Sequence, residues 1–214
     1  MAREGSAMPD IPVVQFWFDP ICPYSWIGSR WLLEVSSRRP LGIEWNVMSL
    51  YLLNADRRGG DEAYVDYLAT MRGPARVAMT ARAQHGSDAL VGLYTAFGGR
   101  IFDRWRRPGP DECRVAMREA VAELGLPRQL ADAYDSEVPD DAVRASHSDA
   151  MALVGDQCGN PVITIDGAAC FGPVLNSIPR GADAVRIFDG TRLLTGWPGF
   201  AELKRTRVTV PVFA

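Results

Sequence analysis

Phe16-Trp17-Phe18-Asp19-Pro20-Ile21-Cys22-Pro23-Tyr24-Ser25-Trp26 joins an apolar stretch, Val13 to Phe18, to a helical pattern that runs from Trp26 to Ser37 and ends at Arg38-Arg39-Pro40. The first part has the character of a buried strand. The junction therefore sets the Cys22 thiol at the mouth of a helix. There the first N–H groups lack intrahelical partners, and the macrodipole adds partial positive charge. Both favour a thiolate over a thiol, so the sequence predicts a depressed pKa and an ionised Cys22 at neutral pH. Pro23 suits the first helical position, where its missing N–H costs nothing.

Outward from this junction, Ile43 to Met48 alternates as a second strand, which completes a β-α-β unit and starts a parallel sheet. From about Leu50 to Asp156 the pattern is helical, with segments at Glu62–Arg72, Pro74–His85, Ser87 towards Trp105, Asp111–Leu124, Pro127–Asp135 and Asp140–Asp156. Val162 to Gly167 and Ala168 to Phe171 then form a β-hairpin, and Arg180–Asp189 and Phe200–Arg205 read as closing helices. The order is that of an α/β thioredoxin fold with an α-helical insertion after the second strand. Residues 1–10 are expected to be a flexible tail, 11–50 and 157–214 the thioredoxin domain, and 51–156 the helical insertion domain.

In such a fold Cys22-Pro23-Tyr24-Ser25 stands where a Cys-x-x-Cys pair would close its own disulfide. With Ser25 as the fourth residue that disulfide cannot form, and a mixed disulfide on Cys22 must be released by an outside thiol. Ser25 still offers a hydroxyl to a thiolate. Many thioredoxin-fold redox proteins carry a buried acid six residues before the nucleophile, to manage the resolving cysteine's proton. Here that position is Phe16, in keeping with the absent second cysteine.

Asn160-Pro161 directly precedes the third strand, where this fold places a cis proline facing the nucleophile; an ordinary trans proline at a strand start is the alternative. The backbone of Asn160 would then be free to pair with a substrate peptide or a thiol cofactor. Pro23, Tyr24, Trp26, Asn160 and Pro161 are accordingly the candidate binding residues, with Cys22 and Ser25 the catalytic ones. Cys158 lies three residues before Pro161 and is either a partner thiol for Cys22 or a small apolar filler. Cys113 and Cys170 read as core. His85 and His147 read as structural, and the cluster Arg100, Arg104, Arg106, Arg107 as a solvated helix end or a contact for an acidic ligand.

Composition narrows the classes. A net charge of −3 argues against a nucleic-acid or anionic-membrane partner, and no run is long enough to span a bilayer. Met1 to Asp10 lacks a signal-peptide core, so the expected location is the cytoplasm, with the four cysteines mainly reduced. Their spacing suits no metal site, and Gly98-Gly99 does not form the turn of a nucleotide fingerprint, so no metal, flavin or NAD is expected.

The chain resembles the DsbA family of thioredoxin-fold proteins and, more narrowly, the actinobacterial mycothiol-dependent nitroreductase group. The carriers are Phe16-Trp17-Phe18-Asp19-Pro20, Cys22-Pro23, Trp26-Ile27, Ser29-Arg30-Trp31, Val47-Met48-Ser49-Leu50, Phe171-Gly172-Pro173-Val174-Leu175, Ile178-Pro179-Arg180-Gly181 and Glu202-Leu203-Lys204-Arg205-Thr206-Arg207. The resemblance implies a cytosolic reductase that draws electrons from mycothiol, or a glutathione-like small thiol, through Cys22, and a homodimer. Ser25 departs from the group's Cys-Pro-Trp-Cys pattern. Tyr24-Ser25-Trp26 instead resembles the kappa-class glutathione transferases and 2-hydroxychromene-2-carboxylate isomerases, which bind a small thiol without an enzyme disulfide.

Three readings follow. In the first, Cys22 is the monothiol nucleophile of a small-thiol-coupled oxidoreductase. In the second, the protein is a thiol transferase or cis–trans isomerase acting on an electrophilic small molecule. In the third, it is a non-catalytic thiol-binding protein. The small thiol and an electrophilic or oxidised small molecule are the expected partners.

Overall fold

The structure, a computed structural model, describes residues 11–55, 57, 59–102, 105–206 and 209–213; the expected N-terminal tail lies outside them. Four strands form one sheet in the order β2-β1-β3-β4: β1 (Val13–Phe18), β2 (Gly42–Val47), β3 (Val162–Ile165) and β4 (Ala168–Phe171). β1 pairs parallel with β2, Phe16 opposite Trp45, and antiparallel with β3, Phe16 opposite Ile163. A central strand must be apolar on both faces, and Phe16 and Phe18 are fully buried, with Trp17 nearly so.

The connection from β1 to β2 is α1 (Pro23–Ser36). Between β2 and β3 the described elements are all helical: α2 (Leu50–Ala55), α3 (Glu62–Thr70), α4 (Gly73–Ile101), α5 (Pro110–Glu123), a 3₁₀ helix (Arg128–Tyr134) and α6 (Asp140–Val154). α4 is two helices in one run. Gly86, at φ 84° and ψ −178°, breaks it between the two segments read from the sequence. Only glycine enters that region without strain. Just beyond the break, the Ser87 hydroxyl accepts the Trp45 N–H at 3.2 Å and so holds the edge of β2.

α4 returns its aromatic face to the sheet. Tyr94 stacks on Phe18 with ring centroids 4.0 Å apart, and Trp45 meets Phe16 edge-on at 5.6 Å. Asp140, at the start of α6, takes ion pairs from Arg72 and Arg76 beside and within α4, which fixes α6 against it. The β3–β4 hairpin turns at Asp166-Gly167, both at positive φ, as a tight two-residue hairpin requires. Asp166 then accepts from the Val13 N–H and from Arg192 of α7 (Gly181–Thr195).

One expected element is absent. Phe200–Arg205 is not a helix but irregular, mostly exposed chain. Pro198-Gly199 precedes it, and six residues are too few for a helix without a packed face.

Candidate functional site

The Cys22 turn is built by Asp19. Its carboxylate accepts the Ile21 N–H at 2.9 Å and reaches the Leu50 N–H at 2.7 Å, joining the end of β1 to the start of α2. Its carbonyl accepts the Cys22 N–H at 3.0 Å. Cys22 is the N-cap of α1, at φ −81° and ψ 117°, and its carbonyl accepts the Trp26 N–H, the first turn of the helix. Pro23 occupies the expected first helical position.

Across from this turn lies the Asn160-Pro161 loop, and the peptide between them is cis. The Cys22 thiol donates to the Asn160 carbonyl, sulfur to oxygen 3.8 Å. The Ser25 hydroxyl bonds the Asn160 side-chain Oδ1, which also accepts the Asp19 N–H at 3.4 Å. The other end of that amide, Nδ2, is buried with no partner among the described residues. Gly28 allows α1 to approach this loop: a Cβ there would lie 3.1 Å from the Phe16 ring and 3.8 Å from Pro161.

Of the candidate residues, the structure thus brings together Cys22, Ser25, Asn160 and Pro161, with Pro23 and Tyr24 half-buried beside them. Trp26 goes elsewhere, into the core. Its ring fits against Gly98 of α4, stacks on Phe102 at 5.5 Å and carries the Arg30 guanidinium at 4.1 Å.

The electrostatics correct the sequence reading. Cys22 is only 3% exposed, and burial pushes its thiol up to about 11, not down. The Ser25 side chain and the backbone N–H groups of Ser25 and Tyr24 act the other way, and the charge of Asp19 adds to the rise. The helix N-terminus is present as expected, but loss of water around the sulfur outweighs it. In this closed arrangement Cys22 is a thiol.

Cys158 is not bonded to it. All four cysteines are free, and the Cys158 thiol points to the Gly155 carbonyl at 3.0 Å and the Met151 sulfur at 3.8 Å, at the end of α6. Cys113 is buried as expected, and Cys170 is partly buried on β4. His147 accepts the Ser49 N–H at 3.4 Å, a structural role, and His85 is exposed.

Sequence reasoning missed three neighbours. Asp19 is 3% exposed, and burial raises its carboxyl to about 6. An acid three residues before Cys22 was visible in the sequence, but its burial was not. Tyr94 of α4 and Tyr64 of α3 feel the charge of Cys22, behind burial as the main cause of their raised hydroxyl pKa values, about 12 for Tyr64. Both come from the helical segment, and nothing local in the sequence says which of its faces meets the thiol. Among the described residues no cluster could hold a metal ion, and no helix is long and apolar enough to cross a membrane.

Two solved structures are similar in fold. A 2-hydroxychromene-2-carboxylate isomerase aligns with TM-score 0.54 at 14% identity, over 85% of this chain and 93% of that one. Chlamydia trachomatis DsbA aligns with TM-score 0.52 at 10% identity, over 88% and 91%. In sequence the chain is 28% identical over 197 residues to the uncharacterized protein Rv2286c of Mycobacterium tuberculosis, covering 91% of this chain and 82% of that protein. The model of the Rv2466c-like family, described as mycothiol-dependent nitroreductase Rv2466c, matches residues 21–205, from just before Cys22 almost to the C-terminus, and the chain belongs to that family.

Proposed function

We propose that the protein is a small-thiol-dependent oxidoreductase in which Cys22 is a monothiol nucleophile and mycothiol the co-substrate. The observation that carries this reading is the setting of the sulfur. It sits at a helix N-terminus, against Asn160 and beside Ser25, with a hydroxyl where a resolving thiol would be and Cys158 turned to Gly155. Membership of a family described as mycothiol-dependent supports the choice of thiol.

The cycle balances with two thiols. An acceptor takes two electrons and two protons as Cys22 and one mycothiol join in a mixed disulfide. A second mycothiol thiolate then attacks the mycothiol sulfur, releasing Cys22 and the symmetric disulfide. Ionising Cys22 requires water or ligand dipoles to replace what burial removed. Ser25 and the N–H groups of the first turn supply the donors once the sulfur is charged. Asn160 and Pro161 form the wall opposite, with Pro23 and Tyr24 beside the thiol, and the segment 51–156 roofs the site as a helical insertion.

A second reading is favoured by one observation, the raised pKa of Cys22. A thiol that stays protonated can donate a hydrogen bond to a bound small-thiol sulfur, as a transferase or cis–trans isomerase needs, and forms no enzyme disulfide. Intact-mass measurement after exposure to oxidised mycothiol separates the two. A mycothiol adduct lost in Cys22→Ser supports the oxidoreductase. An unchanged mass, with an unchanged thiol pool during turnover, supports the isomerase or transferase. The family resemblance carries two further expectations, a homodimer and a cytoplasmic location; sedimentation and cell fractionation check them.

A further inference from the structure

The arginine-rich stretch Arg100–Arg107 divides in the structure. Arg100 pairs with Glu119 and Glu123, and Arg106 forks onto Glu112, so both serve to fix α4 and the following segment to α5. Arg104 lies outside the described residues. Arg107 is different. It is exposed and makes no ion pair among the described residues. Its guanidinium instead lies over the rings of Tyr64 and Tyr67 of α3, at 4.9 Å and 5.6 Å from their centroids.

The surroundings tie that cation to the Cys22 turn from two sides. On one side Tyr64 and Tyr67 stack on each other at 6.2 Å, and Tyr67 donates its hydroxyl to the Pro108 carbonyl at 3.0 Å, strapping the 105–108 segment to α3. Tyr64 shares an electrostatic neighbourhood with Cys22, Asp19 and Arg107. On the other side Trp105, two residues before Arg107, packs its ring on Tyr24 at 6.3 Å and a 55° tilt. Tyr24 is the second residue after the nucleophile, and Trp105 is 47% exposed, so its ring face is open to a ligand.

We propose that Tyr24, Trp105, Tyr64, Tyr67 and Arg107 form a substrate subsite beside Cys22 that takes a flat conjugated molecule bearing a carboxylate. The rings supply faces for a planar group, as in offset and edge-to-face aromatic pairs. A guanidinium stacked on rings keeps its in-plane N–H groups free, and that planar fork matches a carboxylate with two parallel hydrogen bonds. Its attraction reaches the ligand through a low-dielectric aromatic wall on one side, where a fully solvated arginine has water all round. The inference rests on the Cys22 reading above, since it places the substrate of that same site.

The test uses cinnamate and its uncharged near-isostere cinnamamide, with affinities for the full-length protein measured by calorimetry at low salt. Cinnamate should bind at least about tenfold more tightly, the scale of a charge-assisted hydrogen bond, and the gap should shrink as salt is raised. Arg107→Gln should close the gap and Arg107→Lys partly restore it. Arg118→Gln, an exposed arginine on α5, should leave it intact. Trp105→Ala should weaken both ligands alike. Equal affinities for the two ligands, failure of cinnamate to bind, or a gap that survives Arg107→Gln overturns the proposal. The mass measurement on Cys22 is read on the same samples. An adduct without the cinnamate preference sinks the subsite alone, and the preference without an adduct sinks the nucleophile reading alone.

Discussion

Cys22 and Cys158 are both small, buried thiols in loops that meet at the Asn160-Pro161 turn, and each donates to a backbone carbonyl. They differ in which end of a helix they face. Cys22 caps the N-terminus of α1, where the backbone N–H groups of Tyr24 and Ser25 favour the charged sulfur. Cys158 follows the C-terminus of α6, where carbonyls converge, the Gly155 oxygen among them. Burial raises both thiols. At Cys22 the opposing donors are built in and fixed, namely Ser25 and the backbone of the first turn. At Cys158 the opposing side chain among the described residues is Arg57, a long residue reaching from the α2–α3 loop to the Cys158 carbonyl. Exposure does not distinguish the two thiols; the sign of the dipoles around each does.

The severest way to break that comparison is to exchange the roles. Cys22→Ser should abolish adduct formation and lower turnover by about a thousandfold or more, as loss of a nucleophile does elsewhere. Steady-state assay and intact mass on the same sample decide it. Turnover kept within tenfold would mean that the dipoles of α1 serve a bound thiol and not a protein one.

Asp19 sharpens the contrast, since its charge bears on Cys22 and is not among the groups that move Cys158. Its carboxyl ionises at about 6 in the folded chain against 3.8 as a free group. Between those values the folded state holds a proton that the unfolded state has lost, so stability declines as pH rises through that window, by about 3 kcal/mol for a shift of two units. Asp19→Asn should flatten this decline, seen in denaturant melts from pH 4 to 7, and should lower the pH at which Cys22 alkylates. The slope isolates the charge from the hydrogen bonds to Ile21 and Leu50, which the amide only partly replaces. A slope unchanged in the variant would show that Asp19 is not the group titrating there.

The polypeptide pattern announced much of this. The strand–Cys-Pro–helix junction, the β-hairpin and the break at Gly86 are local signals: an apolar run, a proline at the first helical position, and an Asp-Gly turn. The cis bond at Pro161 and the approach of Asn160 to Cys22 followed from the order of elements. What the pattern did not contain was solvent. A helix N-terminus reads the same whether water reaches it or not, and the burial of Cys22 reverses the expected shift. Tyr64 and Tyr94 were hidden for the same reason, because they come near Cys22 by packing between helices and not by spacing along one. The missing helix at Phe200–Arg205 is the converse case, a local pattern with no packed face to hold it.

Ser25→Ala tests the donors themselves. Removing a hydrogen bond to a charged group costs about 1.5–3 kcal/mol, so the pH midpoint of Cys22 alkylation should rise by about one to two units. The backbone N–H groups of Tyr24 and Ser25 remain, so the thiol should stay titratable and adduct formation should slow without vanishing. An unmoved midpoint would assign the Ser25 hydroxyl wholly to the Asn160 side chain.

The smallest effect is expected at Cys158. Its thiol hydrogen bond to Gly155 and contact with Met151 are replaceable by a hydroxyl of similar size. Cys158→Ser should therefore change adduct formation on Cys22 by less than about twofold and stability by roughly 1 kcal/mol or less, the net value of one hydrogen bond. Oxidised wild-type protein should carry a small-thiol adduct and no Cys22–Cys158 bridge, because that bridge needs Cys158 to leave Gly155, Met151 and the Arg57 tie together. Peptide mapping after oxidation is the measurement. A Cys22–Cys158 crosslink, abolished by Cys158→Ser, would show that the C-terminal end of α6 yields a usable thiol after all, and that position relative to the nucleophile outweighs the sign of the helix end.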